Sequence, residues 1–169
     1  MMTASLFTYW HEELVVLAQA VVAVVLGGAL GWERQAAGKY AGLRTHMLVC
    51  LASLLFVKLG ILLIVHATDY YHPEQIRADP AHLIAALATG ISFIGAGAIF
   101  RDPSHERAQG LTTAASLLAT AAIGVAIAID LYFVATGIVL LCLFVLHTLR
   151  KLDAKLNALR KSRDGESKD

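Results

Sequence analysis

Residues 113–147 read "TAASLLATAAIGVAIAIDLYFVATGIVLLCLFVLH", and Asp130 carries the one formal charge in the run. A helix crosses the hydrocarbon core of a bilayer with about 20 mostly apolar residues. The run is far too long for one crossing, and Asp130 sits near its middle. It therefore predicts two spans, 113–129 and 131–149, joined by a tight turn at Asp130. Outward from there the same pattern repeats. Residues 81–100 form an apolar run bounded by Pro80 and closed by Arg101-Asp102-Pro103. Residues 46–65 form another, interrupted only by Lys58, and residues 14–31 a further one ending at Glu33-Arg34. The reading is an all-α polytopic membrane protein with five transmembrane helices, organised as residues 1–150 in the membrane domain and 151–169 as a short basic tail. A soluble helical bundle would show apolar stripes, whereas these runs are apolar on every side. Composition agrees: 57% of residues are hydrophobic and only 16% charged, against about 25% charged in a soluble domain. The flank His11-Glu12-Glu13 is not basic, so 14–31 reads as a retained helix rather than a signal peptide.

Lysine and arginine positions predict the orientation. Arg34, Lys39 and Arg44 follow the first helix, Arg101 and Arg107 follow the third, and the tail is rich in both residues. The opposite side offers Glu12, Glu13, Asp69, Glu74, Asp79 and Asp130, with Arg77 alone against them. This places the N-terminus outside and the tail in the cytoplasm. A net charge of +1 gives no field suited to nucleic acid. Cys50 and Cys142 lie in apolar runs and read as small buried hydrophobes.

Two junctions share the letters Gly-Leu-X-Thr: "GLRT" at 42–45 and "GLTT" at 110–113. Each follows a charged stretch and opens an outward helix. That similarity predicts a parallel repeat of two helical hairpins, although capping chemistry alone also places Gly and Thr before helices. Thr45, Thr112 and Thr113 are expected to cap the helix starts, where backbone N–H groups lack partners and partial positive charge gathers. With Arg34, Arg44 and Arg101, these starts form a candidate site for a partner's carboxylate or an anion. Glu33 and Arg34 are adjacent and so should not face each other on a helix. Glu33 is accordingly expected to pair with Arg44 or Arg101. The competing reading is an interfacial belt, with Trp32 among headgroups and Arg34 reaching lipid phosphate.

Membrane helices associate where small residues let backbones approach. Gly27 and Gly31 form such a pair, with Arg34 on the same face at i+7. Ala86, Gly90, Gly97 and Ala98 mark helix 3, and Thr120, Gly124 and Ala128 mark helix 4. These stripes are also compatible with a homodimer. Lys58 is either a functional intramembrane charge or a lysine that snorkels from a shortened helix 2. Ser92 and Ser116 are expected to bond to carbonyls of their own helices. No hydrolase elbow, HExxH pair or dinucleotide loop appears, and His105-Glu106 is a weak metal motif. The chain is not expected to be an enzyme.

Glu33-Arg34, Gly42-Leu43-Arg44-Thr45-His46, the stretch Gly90 to Ile99, and Gly110-Leu111-Thr112-Thr113-Ala114-Ala115 together resemble the MgtC/SapB family of bacterial inner-membrane proteins. The resemblance covers roughly residues 14–130. It implies a multi-pass protein of the inner membrane linked to growth at low magnesium and to survival of pathogens in macrophages. It also implies association with Mg²⁺ transport, or restraint of the F-type ATP synthase. Two departures stand out. Family members of the MgtC type have an ACT-like C-terminal domain, where this chain has a short tail nearer the SapB-like form. The tryptophan that often follows "TTAA" is also missing. A regulator and a Mg²⁺ or small-ion transporter are both implied. Mg²⁺ demands oxygen ligands, usually carboxylates with retained water, and no midplane carboxylates occur here, so the residues favour the regulator.

Overall fold

The computed structural model describes residues 2–70, 79–101 and 108–148. Its elements are α1 (Met2–Ala36), α2 (Leu43–Tyr70), α3 (Pro80–Gly97), a two-residue antiparallel pair β1 (Phe100–Arg101) and β2 (Ala108–Gln109), and α4 (Leu111–Ala128). A shorter apolar helix, α5 (Tyr132–Thr148), follows. Within α1 to α4 lie four stretches long and apolar enough to span a bilayer: Trp10–Ala36, Leu43–Ala67, Pro80–Gly97 and Leu111–Ala128. The five expected helices are present, four of them with a stretch of spanning length and α5 shorter than the expected span 131–149. Helix α1 begins about three turns earlier than the apolar run because no proline or glycine breaks the segment before it.

Each boundary has a local cause. Asp79 starts α3 by accepting the Ala81 N–H at 2.9 Å, with Pro80 in the first helical position, where its missing N–H costs nothing. Asp130 does end α4, and does so in the left-handed conformation at φ 63°. Leu131 N–H reaches Ala126 O at 2.9 Å and Asp130 N–H reaches Ile127 O at 3.1 Å. These are the two bonds of a Schellman motif, normally finished by glycine. Asp130 tolerates the position because its carboxylate is held in place: Gln19 Nε2 donates to Oδ1 at 2.7 Å and the Tyr132 hydroxyl donates at 3.1 Å. A buried amide on α1 thereby ties down the α4–α5 turn.

The tight part of the bundle is α1, α2 and α4. A Cβ on Gly27 would lie 2.7 Å from Cys50 Cβ, and one on Gly31 would lie 2.7 Å from Leu43 Cα. A Cβ on Gly124 would collide with the Cys50 carbonyl oxygen. Close backbone approach is what holds membrane helices together when lipid is as apolar as leucine. Ala23, Leu30, Cys50, Leu54, Ile123 and Ile127 fill the centre between these seams. The free thiol of Cys50 is buried among them as a small hydrophobe, while Cys142 is half-buried.

Helix α3 is different. Only Ile91 and Gly95 are buried along it, and Gly95 meets α4 at Ala114. Among the described residues, nothing lies within 4 Å of a Cβ added to Gly90 or Gly97. The small stripe on α3 is thus not a seam between this chain's own described helices, unlike the stripes on α1 and α4. Lys58 also departs from expectation. Helix α2 is not shortened, so Lys58 lies half-buried about 22 Å from its start at 1.5 Å per residue.

Candidate functional site

The α1–α2 bend and the starts of α2 and α4 lie at one end of the bundle. The chain leaves α1 through Ala37 and Gly38, the latter at φ +67°. Lys39 N–H bonds Arg34 O at 3.0 Å, which closes the turn. The second bend is made otherwise. Gly110 takes φ +90°, and a Cβ there would collide with the Ala98 carbonyl, so no other residue fits.

The threonines do not cap these helices. Thr45 lies inside the first turn of α2, and the N–H that needs a partner, Leu43, is capped by Gln35 Oε1 of α1 at 3.3 Å. Gly110 occupies the cap position of α4 with no side-chain hydrogen bond. Thr112 is exposed and Thr113 buried, both already helical. The capping expectation fails because each helix starts two or three residues earlier than threonine capping requires.

Arg34 is 3% exposed, placed inside the protein by the Gly27/Gly31 face it shares. Its Nη1 lies 3.4 Å from Glu33 Oε2. This corrects the idea that adjacent helical residues cannot meet: near the helix end both long side chains curl to one side. Among the described residues, nothing accepts a hydrogen bond from the buried Arg34 Nε and Nη2 atoms. Arg44, by contrast, is exposed on the flank of α2 facing α3. Arg101 has its backbone in β1, and its side chain lies outside the described residues, as do Asp102, His105 and Glu106. Of these residues the structure brings Glu33 and Arg34 together, while Arg44 and Thr45 line the α2–α3 groove and Thr112 is exposed at the start of α4.

What the sequence reading missed is the histidine of the first junction. His46 is fully buried, with Nδ1 2.9 Å from Gly42 O and Nε2 3.1 Å from Ser116 Oγ on α4. Ser116 Oγ also lies 2.8 Å from Thr113 O, as expected of a helical serine, and Thr120 Oγ1 donates to Ser116 O at 2.8 Å. The two Gly-Leu-X-Thr junctions are thus stitched together through His46 and Ser116. A carbonyl can only accept, so Nδ1 carries a proton. If the ring is neutral, Ser116 donates to Nε2; if it is charged, Nε2 donates to Ser116, whose hydroxyl then turns to Thr113 O. A polar side chain inside an apolar run was the available signal.

At the other end of the bundle, Gln19 is 1% exposed. Its Nε2 contacts Ile127 O at 3.2 Å and Tyr132 Oη at 3.0 Å, besides Asp130. The described residues hold no group of three or more His, Cys, Asp or Glu that could bind a metal ion.

Comparison with known proteins places this architecture. The MgtC family profile matches residues 20–155. The chain belongs to the MgtC family. It is 37% identical over 139 residues to the "Putative magnesium transporter YhiD" of Escherichia coli K12, covering 80% of this chain and 61% of that protein. It is 33% identical over 150 residues to protein MgtC of Salmonella typhimurium LT2, covering 88% and 58% respectively. With protein SapB of Bacillus subtilis it shares 32% identity over 123 residues, covering 73% and 51%. The chain thus spans about half to three fifths of the length of these relatives. No solved structure matches significantly. Family and apolar helices together make this a multi-pass bacterial membrane protein with a magnesium-related kinship.

Proposed function

We propose that the protein is a regulatory or accessory component of magnesium homeostasis in the bacterial inner membrane. On this reading it acts through the Arg34 site rather than by conducting Mg²⁺. One observation carries it: a guanidinium buried to 3% exposure retains two donor groups, Nε and Nη2, without acceptors among the described residues. Leaving such a group unfilled costs about 1–3 kcal/mol or more. A carboxylate or phosphate from a partner would recover that cost through charge-assisted bonds. Reaching those atoms requires the chain packed around Arg34 to move, so engagement at the site is coupled to a change of conformation. The His46–Ser116 stitch carries that change from α2 to α4. The orientation read from lysine and arginine puts the site on the cytoplasmic side, within reach of a membrane partner such as the ATP synthase.

A second reading, transport, is favoured by the name of the YhiD relative. The electrostatics weigh against it. Glu33 and Asp130 stand at opposite ends of the packed helices, and a buried guanidinium beside Glu33 repels a divalent cation. Reconstitution in liposomes loaded with a Mg²⁺-sensitive dye separates the readings. The regulator reading expects no protein-dependent flux, and a membrane partner that copurifies with the parent but not with Arg34→Gln. Flux lost on Glu33→Gln would overturn it.

A further inference from the structure

We infer that the wedge between α2 and α3 is a binding site for one acyl chain of an anionic phospholipid, with Arg44 at its headgroup. The two helices come close near one end: a Cβ on Gly60 would lie 3.0 Å from Leu83 Cδ2. From that contact they diverge into a groove of about 690 Å³. Its α2 wall carries Leu48 and Phe56, its α3 wall Ala86 and Ile94, and its mouth Arg44 and Thr45. Val49 and Ile91 form the floor, closed from behind by Leu117 and Ala121 of α4.

The shape selects the occupant. From Arg44 to Phe56 the groove runs about 18 Å at 1.5 Å per residue, close to one leaflet of a hydrocarbon core about 30 Å thick. If a methylene takes about the volume of a water, roughly 30 Å³, the space holds on the order of twenty methylenes, which is one chain and not two. A helix is about 10–12 Å across and would need a trough open at both ends, whereas this one is blind at Gly60–Leu83. A second copy of the chain would also have to bring an acid to Arg44. Among the described residues at this level the acid is Glu33, whose side chain is 12% exposed and turned to Arg34. Arg44 is exposed, forms no ion pair among the described residues, and stands at the mouth. With that mouth at the cytoplasmic surface, its charge meets the phosphate of a cytoplasmic-leaflet lipid, the attraction by which basic residues near a membrane select anionic headgroups. The groove differs from an ordinary lipid-facing surface in having a floor, an end and a cation.

The test uses the whole protein in nanodiscs. Trp10 and Trp32 are changed to Phe, and a single reporter is introduced as Phe56→Trp. Phosphatidylglycerol and phosphatidylcholine, each brominated on the acyl chain, are the probes. Quenching by the brominated phosphatidylglycerol should reach half its maximum at a mole fraction at least fivefold lower than for phosphatidylcholine. That preference should vanish with Arg44→Gln, and quenching itself should fall with Ala86→Phe, which fills the wedge from an exposed position. A Leu141→Trp reporter on the exposed face of α5 should show no headgroup preference. Equal quenching by both lipids at Phe56→Trp would overturn the site as mere boundary lipid. Exclusion of both lipids, with cross-linking between copies at the groove, would overturn it in favour of a dimer.

Discussion

Helix α2 has two flanks, and the chain treats them in opposite ways. Towards α1 and α4, glycines at 27, 31 and 124 bring backbones into contact with no room for a methyl group. Towards α3, Gly90 is just as small yet meets nothing, and the helices part into a groove. Small residues thus make a seam only where the opposing helix also runs close along its length. On the first flank the approach is supported by polar stitches, His46 to Ser116 and Gln35 to Leu43. On the second the helices come close at Gly60–Leu83, and Val49 and Ile91 share an apolar cluster with Leu117 and Ala121 of α4.

The difference can be broken most severely at the seam. Gly124→Leu places a side chain against the Cys50 carbonyl, and overpacking should cost about 3 kcal/mol or more. Unfolding in mixed micelles should show it, with Gly31→Leu close behind. His46→Ala removes the stitch between the two junctions and leaves the Ser116 hydroxyl one partner short. The expected loss is about 2 kcal/mol, and wild-type stability in that variant would deny the stitch its role. Gln19→Leu releases the Asp130 turn and should cost about 1 kcal/mol by the same assay, with faster amide exchange at the α4–α5 turn. Gly90→Leu, on the open flank, should change stability by no more than about 0.5 kcal/mol. A large loss there would mean that the groove is closed in the membrane.

Helix number and the Asp130 turn were legible because both follow from span length and a lone charge. Arg34 was legible as a buried residue because Gly27, Gly31 and Arg34 follow a helical i, i+4, i+7 pattern that needs no knowledge of the partner helix. The contacts that build the site were not. His46 and Ser116 are 70 positions apart, and no local pattern fixes the register of α2 against α4. Gln35 displaced threonine as the α2 cap because the short bend folds α1 back over the start of α2. The α3 stripe misled for the complementary reason: smallness permits close packing but does not supply a neighbour.

On the proposed reading, Arg34 is held inside the protein for an acid from outside it, and not as a strut of the fold. Replacing a buried ion pair by apolar or neutral groups of similar size is often neutral or stabilising. The deciding measurement is the unfolding free energy of the double variant Glu33→Gln/Arg34→Met in mixed micelles. A value equal to or above that of the parent is the predicted result. A loss of more than about 2 kcal/mol would show that the guanidinium holds the bundle together, and would contradict the account.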